Sequence, residues 1–230
     1  MVRLILFDID GTLIQSGGAG EKAFARVCKM EFGIPNGTVG LSFAGRTDTS
    51  IVREFFTHHT IEPIPANFDR FFDHYVFQLD HLLRELHGTV LPGVHHWLEE
   101  IASWNRKPGP KPTLGLLTGN ILLGARIKLG HFRLWDWFTM GAFGDDHEDR
   151  NQLAAIARNR GTALRQEKLT GEQILVIGDT PKDIECAAAI GARCVAVATG
   201  HYSVPELRSH QPRWAVKSLR DLSAREACAP

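Results

Sequence analysis

The chain has 230 residues, 43% apolar and 23% charged, with 26 basic side chains against 26 acidic ones. That is enough for one sizeable core or a core domain carrying a smaller one, and a net charge of zero provides no long-range attraction to nucleic acid or an anionic membrane. The longest apolar runs are of strand length, and MVRLILFDIDG lacks the apolar stretch and cleavage site of a secretory leader, so a cytoplasmic protein is expected.

Residues 3–8, RLILFD, form a short apolar run that stops at acid and glycine. From 15 to 86 no good strand appears, and EKAFARVCKMEFG, TDTSIVREFFTHH and FDRFFDHYVFQLDHLLRELHG all space their apolar residues as helices do. The stripe Phe68, Phe71, Phe72, Tyr75 and Phe77 in the last of these reads as hydrophobic core. Beyond it, helical stretches (PGVHHWLEEIASW, NILLGARIKLG, RNQLAAIARNRGTAL, PKDIECAAAIGA) alternate with the apolar runs TLGLLTG (113–119), QILVIGD (173–179) and CVAVATG (194–200). FTMGAF (138–143) predicts a further strand, WAVKSLRDL (214–222) a last strand and helix, and NRKPGPKP (105–112) a solvated connector.

Continuous apolar runs are the mark of strands buried on both faces. The expected fold is therefore α/β, a Rossmann-like parallel sheet with helices on both faces, formed by residues 1–14 and 87–230. The helical interval 15–86 would be a small inserted cap domain standing over the sheet edge where the first strand ends.

In such sheets ligands bind beyond the carboxyl ends of the strands. There the sequence places Asp8 and Asp10, then Thr118-Gly119-Asn120, then Asp179 with Asp183 close behind. Several carboxylates brought to one edge repel one another, and a hard divalent cation with oxygen ligands resolves the conflict; Mg²⁺ suits a site of few carboxylates plus a substrate phosphate. Simpler roles exist for some of these residues. Thr118 or Asn120 could cap the following helix, and Thr180-Pro181-Lys182-Asp183 is a good helix start in its own right. Arg150, at the first turn of a helix, is disfavoured by the helix dipole; a bound anion would relieve it, as would an ion pair with Asp145, Asp146 or Asp149. The cysteines at 28, 186, 194 and 228 have no metal-type spacing and read as free thiols. The adjacent pairs His58–His59 and His95–His96 diverge on a helix and read as surface rather than metal sites.

FDIDGTL, LLTGN and GDTPKDIECA, in that order, resemble three motifs of the haloacid dehalogenase-like hydrolase superfamily, and LPGV (91–94) resembles its phosphoglycolate-phosphatase-like branch. The resemblance spans nearly the whole chain and implies roles. Asp8 would be the nucleophile that accepts a phosphoryl group, and Asp10 the acid and base. Asp8, Asp10 through its carbonyl, Asp179 and Asp183 would hold Mg²⁺, with Asp183 a direct ligand or a support. Thr118, Gly119 and Asn120 would hold the phosphoryl oxygens, and Arg150 would stand where the superfamily usually has lysine, with Lys128, deep in its predicted helix, the fallback. The second acid of DxD argues for phosphate esters over organohalides, since an alkoxide needs a proton to leave and a halide does not.

The resemblance thus implies a Mg²⁺-dependent phosphatase for a small phosphomonoester of the phosphoglycolate kind, working through an aspartyl-phosphate. Its partner would be a small phosphorylated metabolite, without nucleic acid or membrane, on a monomer or homodimer. The SGGAG stretch (16–20) would be the cap joint, and FAGRTDTSI (43–51) would face the site, with Arg46 meeting a substrate anion and Asp48 orienting it or capping a helix. The alternatives are a phosphomutase, a non-catalytic phospholigand-binding protein, and a phosphonate hydrolase. The last would need a cap lysine, for which only Lys22 and Lys29 are available.

Overall fold

The computed structural model describes residues 1–104 and 111–229. In chain order the elements are β1 (Leu4–Phe7), β2 (Ile14–Gln15), α1 (Ala19–Phe32), α2 (Asp48–His58), α3 (Pro65–Glu85), β3 (Thr89–Val90), α4 (Val94–Trp104) and β4 (Thr113–Leu117). There follow α5 (Leu122–His131), β5 (Met140–Ala142), α6 (Arg150–Arg165), β6 (Ile174–Gly178), α7 (Pro181–Ala189), β7 (Arg193–Val197), α8 (Val204–Ser209), β8 (Trp214–Val216) and α9 (Ala224–Cys228). Apart from Lys111 and Pro112, the connector expected at 105–112 lies outside the described residues.

Among the described residues, six strands form one parallel sheet in the order β5-β4-β1-β6-β7-β8. The alternation of side chains across each strand sorts the apolar runs into two cores. Ile5, Phe7, Leu175, Ile177, Val195 and Val197 face one way and pack with α4, α5 and α9. Leu4, Leu6, Ile174, Val176, Cys194 and Ala196 face the other way and pack with α6, α7 and α8. Each large side chain buried here stabilises the fold by about 1.5–3 kcal/mol, which is why a run such as LILF has no exposed position.

Strand β1 is central, and Phe7 pairs with Leu116 on one side and Ile177 on the other. This register brings the residues that follow three strands side by side. The strand order also reverses at β1, since the chain fills one side of it before the other, and a crevice opens at such a point.

The chain leaves the sheet region at β2 and returns at β3, and the two pair antiparallel, Ile14 with Val90 and Gln15 with Thr89. Between them, α1, α2 and α3 form an apolar cluster of their own, dominated by Phe24, Phe55, Phe56, Phe71 and Tyr75, with Ile121 added from the sheet side. Phe24 and Tyr75 meet edge to face with ring centroids 4.8 Å apart. Of the expected aromatic stripe, Phe77 points outward and is 71% exposed. Gly17 and Gly18 both take left-handed backbone at the entry to α1, which favours glycine.

After β8, residues 219–221 make a 3-10 turn instead of the expected helix. A box between Ser218 and Asp221 closes it after one turn, and Trp97 of α4 donates its indole N–H to the Leu219 and Leu222 carbonyls. All four cysteines are buried and free.

Candidate active site

Asp8 follows β1 directly, and its backbone N–H donates to the Ile177 carbonyl at 2.9 Å, continuing the sheet pattern by one residue. Asp179 follows β6 and accepts from the Thr12 hydroxyl at 3.2 Å. Asp183 is the third residue of α7 and closes a capping box with Thr180, accepting from its backbone N–H at 3.0 Å and its hydroxyl at 2.7 Å. Oxygens of Asp8, Asp179 and Asp183 lie within 4.8 Å of one another, and all three residues are buried. Among the described residues this is the one such grouping of acidic, histidine or cysteine side chains, and it contains no histidine.

Burial has the expected electrostatic consequence. It pushes Asp8 up to about 6, against the pull of Arg150 and with further elevation from Asp183. Asp179 is raised well above the usual carboxylate range, first by burial and then by the charges of Asp183 and Asp8. Two glycines make room for its carboxylate: a Cβ on Gly11 would lie 2.3 Å from Asp179 Oδ2, and one on Gly200 would lie 1.7 Å away.

Arg150 opens α6 and is buried against these acids, with Nη2 2.5 Å from Asp183 Oδ1 and 3.2 Å from Asp8 Oδ1. Burial disfavours its charge, but the two carboxylates outweigh that and hold the guanidinium firmly protonated. The nearby acids have other partners: Asp146 pairs with Arg160, and Asp149 caps α6 through the Asn151 N–H.

A second polar array lies on the other side of Asp10. Lys128 Nζ is 2.6 Å from Asp10 Oδ2 and 2.6 Å from Asn120 Oδ1. The Asn120 amide donates to the same Asp10 oxygen at 2.9 Å and to Thr118 Oγ1 at 2.8 Å. Lys128 is thus at the site, although the sequence places it deep in a helix and away from the strand edge. The buried residues of α5 are Gly124, Ala125, Lys128 and Leu129, so the lysine occupies the inward stripe, and its long stem reaches back along the helix to Asp10. A lysine where the helical period calls for an apolar residue was the available signal.

The turn before α2 closes the cavity from the other side. Thr47 donates to the Glu148 carbonyl at 3.0 Å, Thr49 to the Gly144 carbonyl at 2.8 Å, and the Asp48 N–H to the Gly119 carbonyl at 2.7 Å. The Asp48 carboxylate accepts from the Ile121 N–H at 3.0 Å, and Asp145 from Leu122 N–H at 2.6 Å. Helix α5 is therefore capped by acids from elsewhere in the chain, and not by Thr118 or Asn120. Burial pushes Asp48 up to about 7, with Lys128 pulling it back.

A cavity of about 290 Å³ lies between the two layers, and Asp8, Asp10, Gly119, Asn120, Lys128 and Arg150 are among its walls. Arg46 lines it too, but its guanidinium is already bonded to Glu54 and to Ser50. Thr118 and Asp183 are fully buried behind the wall, and each supports a neighbour: Thr118 holds Asn120, and Asp183 holds Arg150. Tyr75, expected only as core, also reaches the cavity.

A family model described as "Haloacid dehalogenase-like hydrolase" matches residues 5–197. A phosphoglycolate phosphatase of Photorhabdus laumondii is 25% identical over 232 residues, covering 96% of this chain and 91% of that protein. A phosphoglycolate phosphatase of Pseudomonas putida is 26% identical over 242 residues, covering 96% of this chain and 78% of that one. Among solved structures, a haloacid dehalogenase-like family protein of Streptococcus pneumoniae superposes with a TM-score of 0.68 at 19% identity, with 96% of each chain covered.

Proposed function

The chain belongs to the haloacid dehalogenase-like hydrolase family, and from that premise we propose that it is a Mg²⁺-dependent phosphatase of a small phosphomonoester, working through an aspartyl-phosphate on Asp8. The observation that carries this reading is the pair of carboxylates with different environments. Asp8 is buried beside Arg150 and the other acids, whereas Asp10 is held by Lys128 and Asn120 with 40% of its side chain open to solvent. That difference supports Asp8 as the group that attacks and Asp10 as the one that exchanges protons with the cavity.

The donor set fits a hard divalent cation: three buried carboxylates lie close together with the single charge of Arg150 set against them. Asp8, Asp179 and the Asp10 carbonyl would hold Mg²⁺. Asp183, whose two oxygens are engaged by Arg150 and Thr180, would support the site from behind. When bound, the ion would offset the charge on the phosphoryl oxygens and let the carboxylates stay ionised together.

The chain's own groups do the rest. An Asp8 oxygen attacks phosphorus, the bond to the leaving oxygen breaks, and that oxygen takes its electron pair and the proton of the Asp10 carboxyl. Water then attacks the phosphorus of the aspartyl-phosphate and gives a proton to Asp10, and the bond to Asp8 breaks, releasing phosphate. Arg150, Gly119 and Asn120 bound the region that receives the phosphoryl oxygens. Residues 15–86 would act as a cap over this chemistry, excluding water and choosing the leaving group. Among the described residues, no helix is long and apolar enough to cross a membrane.

The test is phosphate release from a panel of small phosphomonoesters, phosphoglycolate included, with Mg²⁺ or with EDTA. Release that needs Mg²⁺ and falls at least about 10³-fold in Asp8→Asn supports the reading, because removing a nucleophile costs losses of this order or more. An isomerised sugar phosphate without free phosphate would instead identify a mutase, and tight ester binding without turnover a phospholigand-binding protein.

A further inference from the structure

We propose that Lys128 is a positioning residue for Asp10: together with Asn120 it commits Oδ2 of that carboxyl to accepting hydrogen bonds, so that the transferable proton is carried on Oδ1, towards the leaving group. The inference rests on the phosphatase reading above and adds a residue to it.

Among the described residues, both hydrogen bonds to the Asp10 side chain end on the same oxygen. Lys128 Nζ reaches Oδ2 at 2.6 Å and Asn120 Nδ2 reaches it at 2.9 Å. An oxygen that accepts two donors, one of them charged, is poorly suited to carry a proton, since an O–H there would point into the donors. Protonation is thereby directed to the other oxygen. Carboxyl groups rotate easily about their last bond, and a single donor would leave the two oxygens interchangeable. Two donors from different directions remove that freedom.

The donors are themselves held. Lys128 is 4% exposed and Asn120 6%, and the Asn120 amide is oriented by accepting from Lys128 at its oxygen and donating one N–H to Thr118 Oγ1. This chain of contacts assigns each polar atom a direction, as buried networks do when fully satisfied. Burying an ammonium on the inward stripe of α5 costs free energy that an apolar side chain there would not. The geometry points to orientation of Asp10 as what is gained in return. Arg150 already serves Asp8 and Asp183, so Lys128 is a second cation with a separate task.

The experiment compares kcat/KM for two esters in wild type, Lys128→Met, Asp10→Asn and the double variant. One ester is the best alkyl phosphate of the panel, whose alkoxide must be protonated as it leaves. The other is p-nitrophenyl phosphate, whose phenolate leaves without a proton. Because kcat/KM reports only steps up to formation of the phosphoenzyme, the later water step does not enter. General acid catalysis contributes about 10²–10⁴-fold, so Lys128→Met is expected to lose about 10²-fold on the alkyl ester and at least 10-fold less on the aryl ester. The double variant should fall no more than about 3-fold below Asp10→Asn on the alkyl ester, because the two residues act as a unit.

Equal losses on the two esters, or losses that multiply in the double variant, overturn the proposal. The aryl activity also reports folding. Should Lys128→Met not fold, Lys128→Leu removes the donor with another apolar side chain and must show the same alkyl-over-aryl bias. A wild type silent on both esters overturns the phosphatase reading and this assignment with it, whereas active wild type with unbiased variants overturns this assignment alone.

Discussion

Replacing Asp48 by asparagine removes a buried charge while keeping the hydrogen bond it makes. The asparagine oxygen can still accept from the Ile121 N–H, now at 3.0 Å from the carboxylate. In the wild type, burial raises Asp48 from the ordinary value of 3.8 to about 7, with Lys128 acting in the opposite direction. A folded-state value above the unfolded one means that the folded chain binds the proton more tightly. The stabilisation from this group is therefore complete below the unfolded value and is lost as pH rises through the folded one. At about 1.4 kcal/mol per pH unit, roughly 1.5 kcal/mol of it is gone by pH 5, where only the unfolded chain has ionised, and roughly 4 kcal/mol by pH 8, where the folded one has too. The amide of the variant does not titrate and has no such dependence. In urea unfolding with EDTA present, Asp48→Asn should be the more stable protein, with a gap that widens by roughly 2–3 kcal/mol from pH 5 to pH 8. Carboxylates that do not interact with Asp48 titrate alike in both proteins and cancel in the difference. A gap that stays constant across this range would refute the account, because a lost or gained contact shifts stability without a slope in pH.

Two further outcomes test the site. In Gly119→Ala the new Cβ would stand 2.0 Å from the Arg46 carbonyl, so the turn before α2 must move away; displacement on this scale costs about 10²-fold in kcat/KM, and limited proteolysis should find residues 43–47 more open. Asp179→Asn removes a carboxylate that burial and its neighbours hold well above the usual range. It should raise the melting temperature in EDTA and shrink the rise that Mg²⁺ produces, since a ligand stabilises only as far as it binds the folded state. An unchanged Mg²⁺-induced rise would remove Asp179 from the metal set.

What local chemistry decides was legible in the chain. Strands buried on both faces keep polar residues to their ends, so the runs in RLILFD, TLGLLTG, QILVIGD and CVAVATG stand out as β1, β4, β6 and β7, with Thr113 and Arg193 only at the strand starts. A capping box is set within four consecutive residues, so the start of α7 at Thr180-Pro181 with Asp183 could be read directly. The meeting of Asp8 with Asp179 also follows, because parallel strands must end at one edge. By contrast, β2 and β3 are two residues each, and only their pairing across the helical insertion makes them strands.

Partner choice was not legible, because it depends on distances between segments that sequence leaves free. Arg150 could have paired with the acids just before it, and instead it crosses to Asp183 and Asp8. Arg46 was available for a substrate anion until α2 brought Glu54 against it. Lys128 belongs by sequence to the body of α5, yet the packing of that helix turns its inward stripe towards Asp10. Periodicity along a chain states which face of an element is buried. What that face meets is set by tertiary packing, and at this site the packing decided which charges became neighbours.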